Sequence, residues 1–416
     1  MAFFFCCLII AGFFTTHFAR SLSSIGTIGV GLTATFWFFK SNTRDNIRKQ
    51  PYFLGFSLIY LLHLTGFLYP EVSDPDTMHR DLVMKLPLLV LPLSFAILPA
   101  LSKEKLQQLY YVFVSGVFLG SLYSAGYYFT HFDYVNELYI HSDVMETPTN
   151  HVRYSLMVGF AVIIGYKFIR EKYFIFRPVE KWILIGITGW LFIFLHILAV
   201  RSGLVAFYAV VALGLAFDFF FRRKFLSSVL IGSGLILSLV LAFFTLPTFY
   251  NKFFLTIQDV KSVSEVESAH DYSIAGRVYS FKVASEVIKN NPVTGVGIGN
   301  LEAELDKKYQ ALFPEILQRG HILPHNQFIY SLAVFGIAGF LVFLVCFYYP
   351  YFRFAHLFEP LFIIHYLIIS FSFLFETTLE TQVGLNYSIL FILLPLWYFR
   401  SGESSGISWK NGTFFS

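Results

Sequence analysis

From Gln327 to Tyr349 the chain reads QFIYSLAVFGIAGFLVFLVCFYY, without one charged residue. A segment like this passes through a bilayer only as a helix, because lipid offers no partners to its backbone groups. About 17–25 mostly apolar residues are enough to span. Such runs recur along the chain, which is 56% hydrophobic and 13% charged with a mean hydropathy of +0.64. A soluble domain carries about 25% charged residues, so the fold class is an all-α polytopic membrane protein. The apolar runs predict about twelve transmembrane helices, near 2–18, 22–39, 51–69, 82–100, 106–131, 151–169, 181–200, 202–221, 225–247, 325–349, 357–375 and 384–399. The first two and the last are short or poorly bounded, which leaves eleven as the alternative.

Basic residues set the expected orientation. One set of connections, KSNTRDNIRK, SKEK, KFIREKYFIFRPVEK, FRRK, Arg353 and the tail with Arg400 and Lys410, holds 17 of the 30 Lys and Arg residues. The alternate short connections hold only Arg20, Arg80, Lys85, Arg153 and Arg201 and are rich in acids, as in EVSDPDTMHRD. The basic side is therefore expected to be cytoplasmic, with both termini there. The N-terminus MAFFFCCLIIAGFF lacks a basic leader region and a small-residue cleavage site, so it is expected to remain as a first span. Cys6, Cys7 and Cys346 lie in apolar runs, which argues against a disulfide framework or a zinc site. The formal charge of +4 is too small to indicate nucleic acid.

The chain divides into helices 1–9 over 1–247, a large extracytoplasmic loop over 248–324, and the last three helices with a short tail over 325–416. The loop balances eight basic against nine acidic residues. Val278, Phe281, Ala284 and Ile288 recur at helical spacing before Pro292, and Leu301, Leu305, Tyr309 and Leu312 before Pro314, so two amphipathic helices are expected there. They would lie on the membrane surface or cap a cavity.

The polar residues of interest gather at the outer ends of helices. Arg201, in HILAVRSGLVAF, sits in a tight hinge between apolar runs. It is either a snorkelling arginine or, since a charge there is costly without a partner, an anion ligand working with the N–H groups of the following helix. Arg277, in YSIAGRVYSF, opens the first loop helix. It is an ordinary first-turn residue, or it answers an anion that would offset the unfavourable helix dipole. Arg153, in TPTNHVRYSLMV, reads first as an interface anchor. NNPVTGVGIGN does not have the spacing of a phosphate loop and reads as a glycine-rich turn. His325 and Asn326 follow Pro324 in the first turn of a span. An imidazole, with its ordinary pKa near 6.5, is either a satisfied helix-start residue or a general base.

His325-Asn326, nine further residues and Gly336-Ile337-Ala338-Gly339 together resemble the signature of the O-antigen ligase and polymerase superfamily, closest to O-antigen ligase. NPVTGVGIGN resembles the glycine-rich stretch upstream of that signature, and Arg201 and Arg277 stand where the superfamily places arginines. The likeness covers roughly 200–340. One departure is Val205, where the ligase pattern has leucine, with Leu204 one position earlier.

The resemblance implies a membrane glycosyltransferase of the GT-C type that takes a glycan from undecaprenyl diphosphate without metal or other cofactor. It implies Arg201 and Arg277 on the departing diphosphate, with Arg153 and Asn326 as further substrate contacts and His325 as the residue that takes or orients the acceptor proton. The acceptor expected is lipid A–core, at the periplasmic face of the bacterial inner membrane. A polysaccharide polymerase is the close alternative. Protein O-oligosaccharyltransferases tend to be longer, and a lipid-linked glycan transporter would need charges within its spans.

Overall fold

Helix start signals in this chain are often prolines, which supply a preset φ and lack an N–H that would be unsatisfied there. The computed structural model describes residues 1–40, 50–173, 179–270, 273–354 and 360–399. Parts of the basic connections at 41–49 and 174–178, and the tail with Arg400 and Lys410, lie outside them. In chain order the helices are α1 (Ala2–Gly12), α2 (Leu22–Lys40), α3 (Pro51–Leu64), α4 (Pro75–Lys85), α5 (Pro87–Ile97), α6 (Lys103–Thr130), α7 (Phe132–Ile140) and α8 (His151–Glu171). They continue with α9 (Glu180–Leu198), α10 (Arg201–Phe220), α11 (Phe225–Thr245), α12 (Pro247–Lys261), α13 (Ser273–Asn290), α14 (Leu301–Leu312), α15 (Gln327–Phe354), α16 (Pro360–Phe373) and α17 (Gln382–Phe399). No strand occurs among the described residues.

Eight of these helices are long and apolar enough to cross a membrane: α2, α6, α8, α9, α10, α11, α15 and α17. The other four expected spans are shorter helices. The segment 2–18 yields only α1, which ends at Gly12, and beyond it Thr16 donates to the Pro148 carbonyl at 2.8 Å. The segment 51–69 is α3 closed by a 3-10 turn, Thr65–Leu68. The segment 82–100 is cut at Pro87, which separates the amphipathic α4 from the 11-residue α5. The segment 357–375 is α16, with 14 residues.

The centre of the bundle is α8 and α17, of whose apolar windows 89% and 83% is buried, whereas α11 is 11% buried and lies at the rim. Aromatic rings knit α6 to α17. Tyr110 stacks on Phe391 and Phe113 on Tyr387, with centroids 5.7 and 5.9 Å apart, contacts that add roughly 0.5–1.5 kcal/mol each beyond area burial.

A second core lies beneath the large loop. Tyr279, Val283, Ala284 and Val287 of α13 pack with Leu301, Leu305 and Tyr309 of α14 and with Ala333 and Val334 of α15. The buried stripe of α13 is rotated from the expected one: Val278, Phe281 and Ile288 are only partly buried, and Leu312 of α14 is 44% exposed. The loop also holds one helix more than expected, α12, started by Pro247.

The span expected at 325–349 is not a continuous helix. Gly336 has φ 62° and ψ −173°, a conformation open essentially only to glycine. The glycine-rich stretch fills the break in antiparallel register. Val296 and Gly297 donate to the carbonyls of Ala333 and Val334 at 3.0 and 2.9 Å, and Ile337 and Ala338 donate to those of Pro292 and Val293 at 2.9 and 3.3 Å. Gly295, with φ 69°, faces Gly336 so closely that a Cβ on either would meet the backbone of the other segment. The two glycine motifs are thus one backbone joint.

Gly336→Ala and Gly295→Ala should each lower the thermal unfolding midpoint in detergent, by strain of about 1–3 kcal/mol plus the clash. Gly186→Ala on α9, where a Cβ meets nothing within 4 Å, should leave it unchanged or slightly raised. Unaltered midpoints for Gly336→Ala and Gly295→Ala would contradict the joint.

Candidate active site

The hinge before Arg201 is built by two residues. α9 closes at Leu198, Ala199 takes a left-handed conformation with φ 48°, and α10 begins at Arg201. For alanine this conformation costs about 1–2 kcal/mol. It is held from outside: Tyr139 Oη donates to the Leu198 carbonyl at 2.7 Å and Thr248 Oγ1 to that of Ile197 at 2.6 Å. Arg201 then reaches Asp259 Oδ2 through Nη1 at 3.1 Å and keeps 28% of its side chain exposed.

Asp259 is fully buried and does two things at once. Besides pairing with Arg201, its carboxylate accepts the backbone N–H groups of Ile274 and Ala275 at 2.9–3.2 Å. It therefore satisfies the first turn of α13, where an anion is also favoured by the helix dipole. Through Asp259 the hinge is tied to the helix that carries Arg277.

Arg277 donates from Nη2 to Glu376 Oε1 at 2.7 Å. The other oxygen of Glu376 faces His325 Nδ1 at 3.3 Å and Arg153 Nη1 at 3.6 Å. Glu376 lies in the turn between α16 and α17 with 3% of its side chain exposed. Burial raises its carboxyl pKa, but the His325 hydrogen bond and the guanidinium groups of Arg153 and Arg277 outweigh that and hold it below the usual carboxylate range. An ionised carboxylate only accepts, so His325 Nδ1 donates to it, and in the neutral ring Nε2 is then the acceptor. The His325 side chain is 37% exposed and that of Arg277 25%, so both remain partly accessible at the site.

The turn that carries Glu376 is fastened on its far side too. Lys85 Nζ donates to the Leu379 carbonyl at 2.6 Å and to Glu380 at 2.7 Å. Gln327 bridges the Leu379 N–H and Glu380. The first residue of α15 thus anchors the same turn that His325 touches.

Asn326 is the cap of α15. Its Oδ1 accepts from the N–H groups of Phe328 and Ile329 at 2.9 and 3.0 Å, and its Nδ2 donates to the Leu374 carbonyl at 3.1 Å. Both ends of the amide are engaged by backbone, so Asn326 fixes the distance between His325 and the Glu376 turn. Lys252 of α12 is buried near Arg201. Burial first, and then the Arg201 charge, lower its pKa to about 8.

Arg153, Arg277 and His325, singled out from sequence, meet on Glu376, while Arg201 is held one carboxylate away on Asp259. Three guanidinium groups share two carboxylates, so the cluster retains positive charge and suits an anionic ligand. Glu376, Asp259 and Lys252 were not anticipated. A signal for Glu376 is present in the sequence: an acid in FSFLFETTLE, a short connection between apolar runs on the side where basic residues are scarce and Arg153, Arg201 and Arg277 stand out. Among the described residues no three His, Cys, Asp or Glu side chains converge to hold a metal ion.

Asn326→Ala should cost about 1 kcal/mol of stability through the lost cap. Asn326→Asp keeps the cap acceptor but replaces the donor with a charged oxygen that repels the Leu374 carbonyl, so it should unfold below the wild-type temperature and lose activity. Equal activity in Asn326→Asp and wild type would contradict a positioning role for the amide.

No curated protein matches the chain. Residues 186–344 match the O-antigen ligase family. That stretch runs from within α9 into α15 and holds Arg201, Asp259, Arg277, the glycine joint and His325; Arg153 and Glu376 lie outside it. Over this segment, a little over a third of its length, the chain is similar to the O-antigen ligase family.

Proposed function

We propose that this chain transfers a preassembled glycan from undecaprenyl diphosphate to lipid A–core at the periplasmic face of the bacterial inner membrane, both termini being cytoplasmic. Transfer inverts the anomeric carbon and uses no metal. The superfamily's members are ligases and polymerases of this kind. The observation that carries the reading is the Glu376 carboxylate, which holds Arg277 on one oxygen and His325 on the other.

Arg277 and Arg201 hold the diphosphate and offset the charge that develops on it as the bond from the anomeric carbon to the phosphate oxygen breaks. The acceptor hydroxyl attacks that carbon from the opposite side, and its proton passes to His325 Nε2. The electron pair of the broken bond leaves with the diphosphate. Glu376 keeps Nδ1 protonated and steadies the imidazolium that forms, as a buried carboxylate does for a catalytic histidine. A polymerase would share every one of these steps and differ only in the acceptor, a second lipid-linked glycan.

Purified protein given a lipid-linked glycan and lipid A–core should attach the glycan to lipid A–core. Longer lipid-linked chains would make it a polymerase, and no product of either kind would overturn the proposal. His325→Ala and Arg277→Ala should each reduce transfer by about 10²–10⁴-fold. Arg201→Lys should also lose most activity, because a point charge lacks the guanidinium fork.

A further inference from the structure

Arg153 faces two ways. Nη1 donates to Asn150 Oδ1 at 3.0 Å and lies 3.6 Å from Glu376, Nη2 donates to the Thr377 carbonyl at 3.4 Å, and Nε is buried with no hydrogen-bond partner, which for a charged group is expensive. Arg153 also lines a cleft of about 200 Å³ at the ends of α1, α2, α8 and α17, together with Thr16, Arg20, Ser23, Asn150 and Gln382 among others. Two of the residues that line it are arginines and none is acidic. Arg20 is exposed, its Nε donates to the Thr16 carbonyl at 3.2 Å, and no carboxylate pairs with it among the described residues. The cleft is built in advance of any ligand: Thr16 Oγ1 and His17 Nε2 hold the α1–α2 turn against the carbonyls of Pro148 and Thr147 at 2.8 and 2.9 Å.

The two oxygens of Glu376 separate the halves of the reaction. Oε1 holds Arg277, on the side of the diphosphate ligands; Oε2 holds Arg153 and His325, the proton acceptor. Arg153 is shared between the Glu376 cluster and the lining of the cleft. We propose that this cleft is the acceptor subsite, and that Arg20 and Arg153 select an acceptor bearing an anionic group, a phosphate monoester or a sugar carboxylate, beside the hydroxyl that attacks. The assignment rests on the glycosyl-transfer reading for the word acceptor, while the anion selectivity stands on the cleft alone.

Binding is measured on detergent-solubilised full-length protein with three lipid-anchored probes: a hexose phosphate, a hexuronic acid and the neutral hexose. Wild type should bind at least one anionic probe about ten-fold or more tighter than the neutral one, as expected for a charge-assisted bidentate contact. Whichever anion binds tighter names the source of the charge. Arg20→Gln should erase the preference, Arg20→Lys should restore part of it, and Arg277→Ala should leave it in place. Since Arg20 is exposed, its variants should unfold at the wild-type temperature. Equal binding of all three probes by wild type, or an unchanged preference in Arg20→Gln, would overturn the proposal. In turnover, Arg20→Gln should raise KM for the acceptor and leave KM for the donor and kcat unchanged; a rise confined to the donor KM would also overturn it. Anion-selective binding without any glycan transfer would instead sink the transfer reading and leave the anion subsite standing.

Discussion

A single buried carboxylate, Glu376, sets the arrangement of side chains at one end of this bundle. It lies at the meeting point of α8, α13, the turn before α15 and its own turn between α16 and α17, and it is the shared partner of Arg153, Arg277 and His325. Buried ion pairs gain little net stability because desolvation offsets their attraction, but removing one partner leaves buried charge unpaired at a cost of about 3–5 kcal/mol. Such a cluster is therefore better understood as specifying an arrangement than as gluing a fold. It brings residues from sequence positions 153, 277 and 325 onto one carboxylate and aims what remains of their positive charge outward.

The supports of that cluster are themselves strained or costly. Ala199 adopts a left-handed turn, Gly336 breaks a membrane helix, and Lys85 is fully buried against Glu380 and the Leu379 carbonyl. Each departure places a side chain that a relaxed helix would not. The Ala199 turn sets Arg201 at the first position of α10. The break at Gly336 gives the chain after α13 a backbone strip to pair with, which clamps the end of the loop helices to α15 only a few turns from His325. The Lys85 network stiffens the turn that bears Glu376, and the neighbouring His63–Asp81 pair, at 2.6 Å, extends it into the bundle. Strain at a site of this sort is sustained by its surroundings and keeps polar groups preorganised.

Much of this was legible in the amino-acid sequence. Apolar run length located the helices, and the scarcity of basic residues on one side made Arg153, Arg201 and Arg277 conspicuous. The spacing of His325, Gly336 and Gly339 pointed to the family that residues 186–344 then matched. What escaped has a physical cause in each case. Glu376 sits in a turn with no periodicity, and its importance comes from partners as far away as Arg153. Asp259 reads as an ordinary helix-end acid until Ile274 and Ala275 are seen to donate to it. The break at Gly336 is invisible to hydropathy, since the residues on either side remain apolar. Pro87 was in plain view, but an unbroken apolar count over 82–100 passed across it. The stripe on α13 was misjudged because apolar residues lie on both sides of the true one, and only packing against α14 and α15 decides between them.

The most direct test is the transfer rate of purified Glu376→Gln, normalised to folded protein by its thermal unfolding. Glutamine keeps the shape and loses the charge, so His325 loses its carboxylate and Arg277 and Arg153 their shared anion. The expected result is a fall in transfer of at least about 10²-fold, the scale of a displaced general base, together with a lower unfolding midpoint. Wild-type transfer by a folded Glu376→Gln protein would contradict the central role of this carboxylate.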